Sequence, residues 1–435
     1  MQVSRKYRVG VVGTGFIAKG LIHALNDHPQ LQVSSVLTRR PIQGVNNVPV
    51  PHSIITQDID KVIKSSDLVV ECTGDTIHGT DVIEAVIREG LPVVTMNPEL
   101  HIVSGTKLSQ KGTVIEAEGD QPGTLAALDI ELKDMGFEPI VYGNIKRFLN
   151  LNPTREDMEY WSKRQGISLN MVTSFTDGTK VQVEQVLVAN NLGATIACRG
   201  LSAINCINHE DGALRLAEIA ESYHQPISDY VVSPTAPAGV FIVAKHSGKQ
   251  QPYLQYLKLG DGPHYVIIRP YHLCHLEIPK TIMKVLTGSQ RYTFNNGGKP
   301  VAQVVAVAKK PLAAGEKFAK AVGSFELRGE AVLIDAHSQA VPISLMDNAV
   351  LKKAIDPGEI VTFADVELPP SRALTLWRET LNDLGYNQVS KKPVERKKPP
   401  KPKKTTTISE PYFKPSLMYR VSQWFFKVPE GRIAS

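Results

Sequence analysis

Lys180 and Glu184 are the residues of this sequence whose types and spacing best suit proton transfer. They lie four positions apart in a predicted helix over residues 180–190, so both side chains occupy one helical face. A lysine beside a carboxylate in a closed cleft can donate or accept a proton, although a single lysine is more often an exposed surface residue. The pair therefore indicates acid–base chemistry only if other polar residues meet it in a cleft.

Three polar segments could supply those residues. Each adjoins a predicted strand or helix and is too polar for the middle of a core. In chain order they contain Asp120 with Gln121, Asn144 with Lys146, and Asp177. The first segment closes a predicted strand and opens a helix, so it faces the edge of the sheet where open α/β folds bind ligands.

The N-terminal segment carries a glycine-rich motif of the kind that binds a dinucleotide. It reads G-x-G-x-x-A and lies between a predicted strand (7–12) and a predicted helix (16–26). Gly13 permits a tight turn, Gly15 lets the backbone approach a pyrophosphate, and Ala18 allows close helix–strand packing. The alternative is a tight turn without a ligand. The predicted cofactor-binding residues are Gly13, Thr14, Gly15, Phe16, Ile17, Ala18, Thr38, Arg39, Arg40, Thr73 and Gly74.

The end of the second predicted strand indicates which dinucleotide binds. Sites selective for NAD usually place an acidic residue there to hold the ribose hydroxyls. This chain has Thr38, Arg39 and Arg40 instead, and two guanidinium groups suit a 2′-phosphate. NADP is therefore favoured over NAD, unless both arginines are simply solvated loop residues.

The elements around these residues predict a mixed α/β protein with several domains. Strands and helices alternate over residues 1–150, which predicts a doubly wound parallel sheet of the Rossmann type. An α+β substrate domain follows over 151–302, and a small, mostly β module over 303–370. The chain then continues as a helix (371–388), a flexible linker (389–411) and an aromatic tail (412–435).

Composition and charge exclude several classes of protein. The 435 residues are 42% hydrophobic and 21% charged, which is ordinary for globular domains, and no segment is long and apolar enough to cross a membrane. The net charge is +6, but the segment 391–404 accounts for it, so the rest is near neutral and nucleic-acid binding is not expected. With only four cysteines and no leader-like N-terminus, we expect a cytoplasmic protein.

The motifs together resemble those of the homoserine-dehydrogenase-like oxidoreductases. The resemblance rests on the G-x-G-x-x-A motif, on the segments 119–123, 143–146 and 174–180, and on Arg-Pro-Tyr-His-Leu at 269–273. Residues 304–368 resemble the small β-clip module of the SAF type, which follows the catalytic region in these proteins. The similarity covers about residues 5–385, and one branch of the family resembles a 1-deoxyxylulose-5-phosphate reductoisomerase.

The resemblance implies an NAD(P)-dependent oxidation or reduction at a carbonyl or alcohol carbon. It makes Lys180 the proton donor or acceptor, with Asp177 or Glu184 orienting it. It implies a small polar substrate, sugar-like and in some cases phosphorylated, and a homo-oligomer. The predicted substrate-binding residues are Asp120, Gln121, Asn144, Lys146, Arg269 and His272.

Three alternatives stay open at this point. Residues 272–277, if strand-like, would send His272 and Cys274 to one face and His275 and Glu277 to the other, which fits zinc poorly, so no metal is predicted. The linker (389–411) is either a solvated spacer or a segment that binds an acidic partner or an anionic surface. The aromatic tail (412–435) either docks on its own body or on a sister subunit, or binds a partner protein or a membrane interface. The whole chain could instead be a non-catalytic, dinucleotide-sensing scaffold that recruits a partner through this tail.

Overall fold

The computed structural model describes residues 6–45, 47–289 and 294–386 of the chain. Its first sheet has six parallel strands in the order β3-β2-β1-β4-β5-β6, which is the strand order of dinucleotide-binding folds. The strands are β1 (Tyr7–Val12), β2 (Leu31–Leu37), β3 (Ile55–Thr56), β4 (Leu68–Glu71), β5 (Val93–Thr95) and β6 (Val114–Glu116). The helices of this region are α1 (Phe16–Asn26), α2 (Ile59–Ser65), α3 (Thr76–Arg88), α4 (Pro98–Leu100), α5 (Thr106–Ser109) and α6 (Gln121–Asp134). The predicted doubly wound sheet is confirmed.

The strands and helices of the first sheet form for the reasons that the sequence indicates. Strands β4 and β5 are continuous valine-rich runs that are fully buried, as expected where helices cover both faces of a parallel sheet. Helix α1 buries Ala18, Leu21, Ile22 and Leu25, which recur at helical spacing on one face. Burial of this face therefore fixes the glycine motif at the N-terminus of α1.

The second sheet is mixed and has the order β11-β10-β7-β9-β8. Its strands are β7 (Glu138–Lys146), β8 (Ile204–Asn205), β9 (Ile227–Val232), β10 (Val240–Lys245) and β11 (Tyr265–Arg269). The helices of this region are α7 (Arg155–Gln165), α8 (Leu169–Thr176), α9 (Thr179–Leu192), α10 (His209–Tyr223), α11 (Gln251–Tyr256) and α12 (Ile278–Leu286). Strand β7 is its central strand, although the predicted boundary at residue 150 places β7 with the first sheet. It belongs here because it pairs with β9 and β10, and the Phe241 ring of β10 covers Gly143 so closely that a Cβ there would lie 2.0 Å from the ring.

The small β module predicted after residue 302 is present and shares its core with the second sheet. It contains β12 (Ala302–Ala308), β13 (Leu327–Leu333), α13 (Ile334–His337), β14 (Val350–Leu351) and β15 (Val366–Glu367), with antiparallel pairing of β12 with β13 and of β14 with β15. Leu125 of α6, Val186 of α9 and Val304 of β12 lie in one continuous hydrophobic core. The module is therefore packed against α9 and not suspended from it.

Two later helices return to the first sheet. Ile278 and Ile282 of α12 pack into the core beside α1. Helix α14 (Arg372–Asp383) buries Leu376 in the core beside α3, and Arg372 forms two hydrogen bonds, of 2.7 and 2.8 Å, with Glu84 of α3. Neither contact is visible in the sequence, because it joins segments about 200 to 300 residues apart.

The predicted linker (389–411) and aromatic tail (412–435) lie outside the described residues. Within the three described ranges, we find no helix with the length and hydropathy that crossing a bilayer requires.

Candidate active site

A cluster of charged side chains lies where the first sheet meets helix α9. The Nζ atom of Lys180 is 3.3 Å from Oε2 of Glu99 and 3.4 Å from Oδ2 of Asp120, and all three side chains are largely buried. Glu99 lies in α4 just after β5, and Asp120 caps the N-terminus of α6 just after β6. The cluster therefore forms at the carboxyl edge of the parallel sheet, where the sequence places Asp120, and the structure brings Lys180 to it.

A second group of polar side chains continues this cluster along α9. Oε2 of Glu184 accepts hydrogen bonds from Nδ2 of Asn144 (2.8 Å) and Nζ of Lys146 (3.2 Å). Gln121 bridges the group in the amide orientation that satisfies its neighbours: its nitrogen then donates to Oε1 of Glu184, and its oxygen accepts from Lys146 and from Nε2 of His272, each at 3.2 Å. The structure thus brings together five residues that the sequence predicts for the site: Gln121, Asn144, Lys146, Glu184 and His272.

The electrostatics of the first cluster fix the charges of its members. Burial acts to lower the pKa of Lys180, but the carboxylates of Asp120 and Glu99 outweigh burial and raise it above its usual value. Burial acts to raise the pKa of Asp120, yet the neighbouring Lys180 ammonium group, with help from the Gln121 amide and Lys146, lowers it below its usual value. Lys180 is therefore an ammonium group and Asp120 a carboxylate at neutral pH. An ammonium group held in this way can donate a proton or stabilise a developing oxyanion.

Glu184 titrates close to neutral pH. Burial raises its pKa to about 7, with Lys146 acting against burial. A carboxyl group with this pKa changes its charge within the physiological range. Glu184 can therefore exchange a proton with the polar groups around it.

The raised pKa of Glu184 predicts how the stability of the protein depends on pH. The unperturbed pKa is 4.5 and the folded-state pKa is about 7, so the folded state binds more protons than the unfolded state between these values. The free energy of unfolding therefore falls as pH rises through this interval and is level above it. We expect Glu184→Gln to be more stable than the wild type by roughly 3 kcal/mol at pH 8, because a shift of this size is worth roughly 3 kcal/mol and already includes the attraction of Lys146 for the ionised carboxylate. Near pH 4.5 the difference should vanish.

Urea unfolding of both proteins from pH 4.5 to 8 measures this effect. Glu159→Gln is the matched control, since Glu159 lies exposed in α7 beside Arg155 and should show no such pH dependence. A stability difference between Glu184→Gln and the wild type that is the same at every pH would contradict the shift.

The structure does not place Asp177 and Arg269 in the cluster. Both carboxylate oxygens of Asp177 are engaged elsewhere: one accepts from Nζ of Lys309 (2.6 Å) and the other from the Thr179 amide (2.9 Å). Arg269 ends the edge strand β11, and its guanidinium group donates to Oε1 of Glu131 at 2.8 Å. The structure therefore brings neither side chain into contact with the cluster, and the orienting role of Asp177 and the substrate contact of Arg269 stay predictions.

Residues 272–277 form a loop and a short 3₁₀ turn (Cys274–Leu276), not the strand on which the argument against zinc depended. Sγ of Cys274 lies 4.0 Å from Nδ1 of His272, but the other side chains point to different neighbours. His272 faces Gln121, the His275 ring packs against Phe16 with centroids 6.3 Å apart, and Oε1 of Glu277 accepts from the Leu273 amide at 2.7 Å. Of these residues, His272 is the one that belongs to the polar site.

Glu99 and a buried pair behind it were missed by the sequence analysis. Nε2 of His101 lies 3.3 Å from Oε2 of Glu116, and both side chains are fully buried. Burial lowers the pKa of His101 to about 3 and raises that of Glu116, so the pair is neutral. His101 begins a π-helical turn (His101–Gly105), a feature frequent at functional sites. The available signal was the position of Glu99 just after the apolar run that forms β5, at the same sheet edge as Asp120.

The turn between β1 and α1 fits the pyrophosphate of a dinucleotide. Gly13 has φ +116°, and a Cβ there would lie 3.0 Å from the Cys72 carbonyl oxygen, so the turn requires glycine. A Cβ on Gly15 would meet nothing within 4 Å, and no side chain caps the helix that follows. Open space therefore faces uncapped amide groups at a helix N-terminus, which is an arrangement suited to phosphate. Phe16 is 60% exposed at this crevice, whereas Ala18 is fully buried against the sheet.

A cleft of about 410 Å³ lies next to this turn, at the end of β2. Its lining includes Thr38, Arg39 and His78, and the guanidinium group of Arg39 donates to Oδ2 of Asp75 at 2.8 Å. The Thr73 amide donates to Oε1 of Glu71 at 2.7 Å, and the Thr73 hydroxyl bonds the same oxygen. Among the predicted cofactor residues, Thr73 therefore bonds other protein groups, Arg39 is exposed at the cleft, and Arg40 is exposed next to it in the sequence.

Family models match three consecutive segments of the chain. The NAD-binding domain of homoserine dehydrogenase matches residues 13–112, the catalytic domain of the oxidoreductase DRL matches 119–278, and the SAF domain matches 303–367. The chain has the architecture of a homoserine-dehydrogenase-like oxidoreductase with a SAF domain. The resemblance found in the sequence is confirmed. The oxidoreductase is an NAD(P)-dependent dehydrogenase or reductase that uses a nicotinamide dinucleotide.

Solved structures of dehydrogenases are also similar to this chain, at low identity and with TM-scores below 0.5. A dehydrogenase (MviM) from Clostridium difficile is 12% identical, with 67% of this chain and 94% of that chain covered and a TM-score of 0.39. UDP-N-acetylglucosamine 3-dehydrogenase GnnA from Acidithiobacillus ferrooxidans is 11% identical (67% and 91% covered, TM-score 0.37), and an NAD-binding protein from Listeria innocua is 13% identical (67% and 92% covered, TM-score 0.35). No curated protein sequence matches the chain significantly. Likeness at this level says nothing about the substrate.

Proposed function

We propose that this oxidoreductase reduces the carbonyl group of a small polar substrate, with Lys180 as the proton donor. The observation that carries this proposal is the contact of the Lys180 ammonium group with both Glu99 and Asp120 at the carboxyl edge of the cofactor-binding sheet. These carboxylates keep Lys180 protonated, and a protonated amine suits reduction, because the alcohol product needs a proton on its oxygen. The bound dinucleotide supplies the hydride. Glu184, with its pKa near 7, is proposed to return a proton to the site between turnovers.

The substrate class follows from the groups that line the site. The Gln121 amide oxygen lies 3.2 Å from both the Lys146 ammonium nitrogen and Nε2 of His272, and Asn144 bonds the same Glu184 carboxylate as Lys146. Such a set hydrogen-bonds hydroxyl groups, and Lys146 adds a positive charge for an anionic group. A sugar-like carbonyl compound, phosphorylated or free, matches this lining. A cytoplasmic location and a homo-oligomeric state stay predictions from the sequence.

We also propose that the dinucleotide is NADP. Arg39 and Arg40 occupy the end of β2, and Arg39 can exchange its partner Asp75 for a 2′-phosphate. The double variant Arg39→Ala/Arg40→Ala is expected to weaken NADPH binding at least tenfold and NADH binding less than threefold. Titration of the fluorescence of each reduced cofactor measures both dissociation constants without a substrate.

Arg88→Ala is the control for this comparison, since Arg88 is exposed at the far end of α3. It should change neither dissociation constant. Equal losses for NADPH and NADH in the double variant would reject the assignment of these arginines to the phosphate.

A screen of NADPH oxidation against aldehydes and ketoses, phosphorylated and free, tests the reaction itself. It includes aspartate semialdehyde, with homoserine and NADP⁺ as the reverse assay. The proposal expects turnover with one member of this set and loss of that turnover in a Lys180 variant. Turnover that survives the removal of Lys180 would contradict its role.

A further inference from the structure

Helix α9 is attached to the SAF domain along a face distinct from the one that carries Lys180 and Glu184. Three of its side chains accept hydrogen bonds from backbone amides of β13 and β12, and they recur at positions that share one face. The bonds join Thr179 to Gly329 (2.9 Å), Gln182 to Ala331 (2.8 Å) and Asn190 to Ala302 (3.0 Å). Strand β13 approaches so closely that a Cβ on Gly329 would lie 2.9 Å from the Thr179 methyl group. The SAF domain thus supports the helix that carries Lys180 along one face.

A buried ion pair completes this support at the first turn of α9. Nζ of Lys309, just after β12, donates to Oδ2 of Asp177 and to the Ser324 carbonyl oxygen, both at 2.6 Å. The side chains of Lys309 and Asp177 are 4% and 0% exposed. The other oxygen of Asp177 accepts from the amide of Thr179, the first residue of α9. One carboxylate therefore joins a SAF lysine to the residue that immediately precedes Lys180.

The placement of this ion pair suggests a purpose beyond stability. A buried ion pair is weak evidence for stability, because desolvation of the two charges offsets much of their attraction. Here the pair holds the turn at Gly178, which has φ +84° and leads directly into α9. Thr179 and Lys180 are the first two residues of α9. Displacement of the turn before them would therefore move Lys180 away from Glu99 and Asp120.

We propose that Lys309 of the SAF domain is a positioning residue that acts through Asp177 to hold the Lys180 ammonium group between Glu99 and Asp120. The inference rests on the proposed role of Lys180. It assigns to the SAF domain a part in the active site, although none of its described strands contributes a side chain to the polar cluster around Lys180. In this proposal Asp177 holds the turn before α9 and does not itself contact the reacting atoms.

Chemical labelling of Lys180 tests the positioning without a substrate. In the wild type, Lys180 is an 11% exposed ammonium group between two carboxylates and should react slowly with acetic anhydride at pH 8. In Lys309→Met, the turn loses its anchor, so we expect Lys180 to be acetylated at least about fivefold faster, as measured by mass spectrometry. The dissociation constant for NADPH should stay within twofold, because the glycine turn is in another part of the fold.

Lys310→Met is the matched control, because Lys310 is the next residue and pairs with Glu326 at the surface. It should leave the labelling rate of Lys180 unchanged. Asp177→Asn removes the same ion pair while keeping the size of the side chain. It tests the positioning role if Lys309→Met does not fold. The double variant should label no faster than the more reactive single variant, since both residues act through one contact.

Folded Lys309→Met or Asp177→Asn protein with the labelling rate of the wild type would overturn the proposal. Rates that multiply in the double variant would also overturn it, because they indicate independent effects. Where the NADPH screen finds a substrate, kcat should fall with the change in labelling while KM for NADPH is constant. Where the screen finds none, the labelling result still decides the positioning, so the two proposals can fail separately.

Discussion

Replacement of Lys180 by methionine is expected to lower kcat by a factor of about 10² to 10⁴ while the dissociation constant for NADPH stays within twofold. Methionine keeps most of the apolar stem of lysine but lacks the ammonium group, so the proposed proton donor to the product oxygen is lost. A loss of kcat by this factor is typical when the general acid of an enzyme is removed. The cofactor is unaffected because its glycine turn does not contact Lys180. The substrate identified by the NADPH screen provides the assay.

The comparison of two further variants sharpens this prediction. Lys180→Arg keeps a positive charge but cannot place a single ammonium group between Glu99 and Asp120, so its kcat should also be low. Lys133→Met is the control, because Lys133 is half exposed and pairs with Asp129 on α6. A Lys180→Met protein that folds and turns over at the wild-type rate would remove the central residue of the proposed mechanism.

The second large effect is expected at Gly15. Gly15→Val should weaken the binding of NADPH at least a hundredfold, which corresponds to about 3 kcal/mol, with little change in the melting temperature. The backbone of Gly15 is extended (φ −82°, ψ −169°), and a Cβ there meets no protein atom within 4 Å, so the protein itself accommodates valine. The space that valine fills is the space that a pyrophosphate needs.

Two other glycines separate this effect from loss of structure. Gly44→Val introduces the same side chain at an exposed glycine that also meets nothing within 4 Å, and it should leave NADPH binding unchanged. Gly10→Ala should lower the melting temperature, because its Cβ would lie 2.6 Å from Oγ of Ser66 and 2.7 Å from Val62. Normal NADPH binding by Gly15→Val would show that the pyrophosphate is not held at this turn.

The sequence predicts the first sheet well because its signals are local. A valine run such as β4, a glycine turn such as Gly13 and a helical apolar face such as that of α1 each depend on neighbouring residues. The position of β7 could not be predicted in the same way. Its sequence would suit either sheet, and only its pairing with β9 and β10 decides between them.

The same distinction applies to the active site. Lys180, Asp120, Gln121 and Glu184 were found because they lie in polar segments next to strand or helix ends. Asp177 has the same local pattern, but its partner Lys309 is 132 residues away, and only the fold shows that it supports the site from outside. Glu99 was missed because a single glutamate at the start of a short helix resembles many exposed residues.

Because α12 and α14 pack on the first sheet, the nucleotide-binding segment depends on residues far along the chain. The family models divide the chain into consecutive segments, yet Ile278, Ile282 and Leu376 complete the core of the segment that ends before residue 113. A recombinant fragment restricted to the nucleotide-binding segment would expose the apolar surfaces that these side chains cover, and it would tend to aggregate. We therefore expect that the nucleotide-binding segment does not fold independently when it is excised at the boundaries of the family model.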